Sequence, residues 1–374
     1  MLFTFVLACT NEVTQKEVLE PSFIIVEIDG EQGTPSEPLL FSTEPIERNV
    51  SIQTLDRNAD PYPFTGDLKI NVRTGRLASD MDPWISMENG TWNSVEANEA
   101  IRFQAAFGPT RIWVSDAGDK DVTSDRAPSF ATGVSEPLYF NFPTIAEFNN
   151  IEDTETNHIV GEFTEVRVED REVVVTVVGP NGFWVTDLND GVGNYASMYV
   201  YTFSKPTSIL PGYRITKLNG GNQEYLGATQ LSFPSYETEE GDYVLEIPDI
   251  DKDILCDEQK MEGYESAVVA VKTVKIPSTF TETSEDYFDY LEYGQYPVEI
   301  DGCTVYVDSN ALSFEFNPVV HAGESFDIQG IVSQIWSKWI IVLYDDNGIS
   351  YEAEDFQQKP IFRGPVRPQA RHRQ

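Results

Sequence analysis

A chain of 374 residues has room for two or three domains with cores of their own, and its 40% hydrophobic and 12% aromatic content is that of a folded protein. Asp and Glu number 62 against 25 Lys and Arg, a formal net charge of −37, so phosphate backbones are repelled and nucleic acid is disfavoured as a partner. Three cysteines without a Cys-x-x-Cys pair, and His158, His321 and His372 far apart in the chain, exclude the common zinc and dithiol patterns.

The chain opens with a short apolar run, Leu2 to Ala8, that ends Val6-Leu7-Ala8-Cys9. Thr10 to Pro21 is polar, as a tether is. The run resembles the lipobox of bacterial lipoproteins, in which a small residue precedes a cysteine that is acylated and becomes the mature N-terminus. The resemblance implies a signal and tether over residues 1–22, lipidation at Cys9, a membrane partner through that anchor, and a place outside the cytoplasm, on the outer membrane or cell surface. The run lacks a preceding Lys or Arg, and a frayed apolar terminus with a buried cysteine is the other reading. No later segment has the ~18 apolar residues of a membrane span. With Cys9 acylated, Cys256 and Cys303 remain as an even pair in an oxidising compartment. They form either a disulfide, which the chain-entropy model values at ~4 kcal/mol, or two buried thiols.

From Phe23 onward, strand-like alternation punctuated by Gly, Pro, Asn and Asp predicts an all-β protein, as in Ser51–Leu55, Leu68–Arg73, Val173–Val178 and Trp339–Tyr344. The first block, 23–142, contains Tyr62–Arg73, the turn Glu88-Asn89-Gly90-Thr91-Trp92, and Ile101–Asp116. In that order these segments resemble bacterial Ig-like surface domains, which implies a β-sandwich.

The second block (158–237) and the third (261–356) form an internal repeat. Each has a glycine-led strand, a glycine corner and a last apolar strand: Pro211–Gly221 then Tyr225–Phe233, and Ala322–Val332 then Trp336–Tyr344. Gly182–Asp187, Met198–Phe203 and the run carrying Glu224, Tyr225, Gly227, Thr229, Gln230 and Leu231 resemble the OB-fold domains that accompany bacterial extracellular nucleases and recur in surface lipoproteins. The resemblance implies two five-stranded Greek-key barrels. The third block departs from it by lacking the Glu224–Leu231 run and by carrying an acidic insertion, Thr279–Tyr296, so one ligand shared by both barrels is not expected.

A barrel of this kind holds ligands on exposed aromatics. The candidates are Phe183, Trp184, Tyr199, Tyr201 and Phe203, joined by Tyr225 and Gln230. Alternation sends Phe183 and Trp184 to opposite faces and puts Tyr199, Tyr201 and Phe203 together, either in the ligand groove or in the barrel core. Asp249, Asp251 and Asp253 alternate either as ligands for a structural calcium ion or as solvated linker. The EF-hand spacing fails at Ile254 and Lys260. No other cofactor is expected. Asp345–Gly348 is predicted to be a hairpin turn. Gly-x-Ser-x-Gly, His-Glu-x-x-His and a P-loop are absent from the sequence, and no enzyme is expected. The basic tail, 357–374, is expected to be disordered. The sequence therefore points to a non-catalytic surface lipoprotein with an unknown surface or extracellular ligand. An accessory nucleic-acid or nucleotide binder using the barrel groove is the alternative.

Overall fold

The computed structural model describes residues 22–42, 44–117, 130–150, 159–349 and 357–358, so Cys9, the tether to Pro21, His158 and the tail beyond Gln358 lie outside the described residues. The protein is mostly β, with 46% strand and 9% helix, as the alternation predicts. It divides into two compact units, Met1–Phe140 and Asn141–Gln374, and both repeat blocks belong to the second.

In the first unit, numbering strands in chain order, one sheet contains β1 (Ser22–Ile28), β3 (Val50–Leu55), β7 (Thr91–Asn93) and β10 (Phe130–Ala131). A second sheet contains β4 (Gly66–Arg73), β6 (Trp84–Met87), β9 (Gly108–Ser115), β11 (Gly133–Val134) and β12 (Leu138–Phe140). A small third sheet joins β2 (Ile46–Arg48), β5 (Arg76–Leu77) and β8 (Ile101–Ala105), and helix α1 (Ser94–Ala97) follows β7. Alternation drives the packing: Ile24 and Val26 of β1, Val50 and Ile52 of β3, and Leu68, Ile70 and Val72 of β4 are buried in one core with Phe103 and Ile112.

The second unit starts with helix α2 (Ile145–Asn149), whose first turn is closed by a capping box between Thr144 and Glu147. Then come β13 (Phe163–Val166), β14 (Val173–Val178), β15 (Gly182–Asp187), β16 (Ser197–Tyr201), β17 (Arg214–Tyr225) and β18 (Ala228–Glu239). Strand β14 pairs with β15 and β15 with β16, all antiparallel; β16 runs parallel to β18, which returns through β17 to β14. These pairings make a closed ring of five strands, with β13 added beside β17. Val175, Phe183, Val185, Met198, Val200 and Leu231 are buried within it.

The next block repeats the ring. Its strands are β19 (Asp249–Ile250), β20 (Val268–Lys275), β21 (Gln295–Ile300), β22 (Cys303–Asp308), β23 (Phe314–Glu315), β24 (Ser325–Ile335) and β25 (Lys338–Val342); β23 pairs with β26 (Gln357–Gln358). The order β20–β21–β22–β25–β24 closes back on β20, again with one parallel pair, β22 with β25. Helices α3 (Lys252–Leu255), α4 (Glu258–Gly263) and α5 (Tyr287–Tyr293) are inserted, the last inside the acidic segment Thr279–Tyr296.

Several sequence expectations change here. Ile250 and Leu255, ahead of the third block as read from the sequence, are buried in one core with its Val271, Tyr296 and Val305. The Asp run is engaged within the fold. Asp251 caps α3 by accepting from the Asp253 N–H at 2.9 Å, and Asp249 lies 3.7 Å from Lys272. Among the described residues no group of three His, Cys, Asp or Glu side chains could hold a metal ion. Asp345 caps a 3-10 turn, Asp346–Gly348, where a hairpin was expected, and Asp346 accepts the Ser313 N–H at 2.6 Å. Cys256, at the end of α3, is joined to Cys303 at the start of β22, with Cα atoms 5.5 Å apart and a separation of 47 in sequence.

One ion pair is enclosed within the second block. The side chain of Asp187, 0% exposed, is held by Arg171, which also meets Asp190 at 2.5 Å. Burial pushes the Asp187 carboxyl up from its ordinary range, against the pull of the guanidinium. Removing the cation leaves a buried carboxylate uncompensated. Arg171→Ala is therefore expected to cost about 3–5 kcal/mol, measured as a lower denaturant midpoint for the second unit with the first unit unchanged.

Candidate functional site

Strands β15, β16 and β18 each have an inner and an outer row. Phe183, Val185, Met198, Val200 and Leu231 form the inner row and are buried. The register aligns Trp184 with Tyr199, and Tyr199 with Gln230; the next row places Gly182 beside Tyr201 and Tyr201 beside Ser232. The aromatic row of β16 is thus the outer face of the ring and not its core.

On that face the rings run in series. Trp184 and Tyr199 have centroids 4.5 Å apart, Tyr199 and Tyr201 6.3 Å, Tyr201 and Phe203 4.4 Å, and Phe203 and Phe233 5.1 Å. Phe203 is 52% exposed and Phe233 69%. Two glycines let the larger rings lie flat on the sheet. A Cβ on Gly179 would meet the Trp184 ring at 2.8 Å, and one on Gly182 would meet the Tyr199 ring at 2.8 Å.

Phe203 and Phe233 both have left-handed backbones, at φ +65° and +51°. That region is costly for an aromatic residue and is seen at sites where the surroundings impose it. Its effect on Phe233 is direct. Strict alternation after Ser232 would point Phe233 inward, and the left-handed turn sends it outward to meet Phe203. Sequence periodicity had no means of including Phe233, although the following Pro234 marked an irregular strand.

An amide and hydroxyl group borders the rings. Gln230 Nε2 donates to Gln223 Oε1 at 3.2 Å and to Ser232 Oγ at 3.3 Å, and the Ser232 hydroxyl donates to Gln223 Oε1 at 2.6 Å. Gln230 is buried and Gln223 is exposed, so Gln223 presents the network to solvent. Of the sequence candidates, Trp184, Tyr199, Tyr201 and Phe203 are brought together. Gln230 lies beside Tyr199 in the register, and Phe183 belongs to the core. Tyr225 lies apart, at the tip of the β17–β18 hairpin, paired with Ala228.

Cations of this block other than Lys205 are engaged elsewhere. Arg171 is held by Asp187 and Asp190, Arg167 lies 3.5 Å from Asp170, Arg214 donates to the Arg171 carbonyl at 3.2 Å, and Lys217 acts on Glu165. Lys205, exposed two positions after Phe203, is the basic residue next to the strip in sequence.

No family model, curated protein or solved structure matches this chain.

The repeated block carries different chemistry at the equivalent strand. Tyr306 of β22 lies under the Lys338 ammonium, 4.4 Å from the ring centroid, and its hydroxyl donates to Asp286 at 3.0 Å. Lys338 is in turn 2.8 Å from Asp289 and 3.7 Å from Asp286, both from the acidic insertion. A charged cluster thus replaces the aromatic series there.

Proposed function

We propose that the protein is a non-catalytic binding module outside the cytoplasm, lipid-anchored at Cys9, and that the strip from Trp184 to Phe233 holds an uncharged glycan chain. The observation that carries this is the unbroken series of outward rings bordered by the Gln223–Gln230–Ser232 network. Pyranose rings have apolar C–H faces that stack on aromatic rings, and hydroxyls that exchange hydrogen bonds with amides. An apolar surface with a few placed polar groups suits such a ligand. An uncharged chain also meets no repulsion from an acidic protein, whereas a phosphate chain does and would find Lys205 as the cation next to the rings in sequence.

Within this proposal the two blocks of the second unit are OB-type barrels and the first unit is an Ig-like sandwich. The ring order with one parallel closure, repeated in both blocks, supports the former. Two larger sheets around one core support the latter. The lipobox-like Val6–Cys9 run supports the anchor. Nucleotide bases also stack on such rings, so the nucleic-acid alternative is tested on the same strip.

Affinity electrophoresis against soluble neutral polysaccharides (a β-glucan, a xylan, a glucomannan) and a titration with oligo-dT at low salt separate the two. Retardation by a neutral polysaccharide is expected, with Phe203→Ala/Phe233→Ala weakening binding by at least about tenfold. Oligo-dT binding that this variant abolishes, without polysaccharide binding, would transfer the strip to the nucleic-acid reading. Binding of neither would sink the strip as a ligand site. Separately, the chain expressed with its upstream region should partition into detergent with an acyl mass increment that Cys9→Ala removes; an unmodified, detergent-independent wild type would contradict the anchor.

A further inference from the structure

The two closed rings of the second unit meet through their last hairpins. Trp336, in the β24–β25 turn, donates its N–H to the Leu226 carbonyl of the β17–β18 turn at 2.9 Å. Gly227, at φ +99°, gives way to Gln334, whose Oε1 would be 2.2 Å from an added Cβ. Nearby, the Tyr195 N–H donates to the Gly263 carbonyl at 2.8 Å.

Three carboxyl groups gather at this junction: Glu224 near the end of β17, Glu262 in α4, and Glu265 just beyond it. Glu265 is 5% exposed, and its Oε2 accepts the Thr229 N–H of the neighbouring ring at 3.0 Å. Its Oε1, also buried, has no hydrogen-bond partner among the described residues. Glu224 accepts from the Thr229 hydroxyl. The charges acting on these carboxyls are their own and that of Glu258, with no basic side chain among them. Lys260 of the same helix is directed to Asp257, 3.6 Å away, and to the Asp253 carbonyl at 3.0 Å. Since no three ligating side chains among the described residues could hold a metal ion, a proton is the counter-charge that fits.

We propose that this junction is a proton-operated latch: with the cluster protonated the two rings stay clasped, and ionisation of Glu262 and Glu265 loosens them.

Burial, then Glu224 and Glu258, push Glu262 up to about 7 from an ordinary 4.5. Burial holds Glu265 well above the carboxylate range, with Glu262 and Glu224 adding to it against the Thr229 N–H. A carboxyl raised in the clasped state binds protons that the open state has lost. Its stabilising contribution is therefore complete below the ordinary value and disappears as pH rises through the raised one. The latch is tightest in acid and loosens progressively as pH rises from the ordinary carboxylate range through neutrality. Trp184 belongs both to the ring series and to the junction core of Val177, Val268 and Ile331. Loosening would therefore disturb one end of the strip, a consequence that rests on the function proposed above.

Hydrogen exchange on the full chain, without ligand, tests the latch. After correction for intrinsic rates, protection of the Thr229, Tyr195 and Trp336 amides is expected to fall by about tenfold between about pH 5.5 and about pH 8.5. Glu262→Gln, half-buried and mild, should lessen the fall, and Glu262→Gln/Glu265→Gln should hold protection level across the range. Wild-type protection that does not change with pH overturns the latch, as does an equal fall in the variants. Since no ligand is present, failure here leaves the polysaccharide result standing, and failure there leaves this one.

Discussion

The parallel pairing of β16 with β18 is the constraint on which the second block depends. A parallel pair cannot be joined by a tight turn, so β17 must cross over before β18 returns beside β16. That crossover closes the ring, and closure leaves no open edge among its five strands. It also fixes which side of every strand is inside. Once Phe183, Val185, Met198, Val200 and Leu231 are committed to the interior, Trp184, Tyr199 and Tyr201 must face outward. The aromatic strip is therefore a consequence of ring closure, and Gly179 and Gly182 make it flat.

The same closure repeated in the third block gives a different outer surface because the residues there differ. Tyr306 remains, but its neighbours are Lys338, Asp286 and Asp289, and Pro297 is the residue paired with it as Trp184 is with Tyr199. The acidic insertion supplies both aspartates and helix α5. One architecture thus presents an aromatic face in one copy and a charged cluster in the other. The two copies are joined at the hairpins by a carboxyl group, Glu265, that has lost its water without gaining a cation.

Strands that alternate, such as β3 and β4, were legible in the sequence, as were the repeat and the common face of Tyr199, Tyr201 and Phe203. Whether that face pointed in or out was not, since Tyr and Phe suit a core and an exposed strip equally well. Phe233 was hidden because a left-handed residue breaks the period on which such predictions rest. For Asp249, Asp251 and Asp253 alternation alone does not show that Asp251 caps α3 and Asp249 meets Lys272. The junction acids could not be singled out among 62; a buried Glu265 is defined by what packs on it, which lies on another ring.

The central claim is that the outer rings of β15, β16 and the Phe203–Phe233 corner contact the ligand directly. Saturation-transfer difference NMR with a neutral oligosaccharide tests it, irradiating the aromatic protons of the protein. The account predicts that the pyranose ring C–H protons receive the strongest transfer, and that Phe203→Ala/Phe233→Ala removes it while the fold persists. Transfer of equal strength in that variant, or none in the wild type, would contradict it.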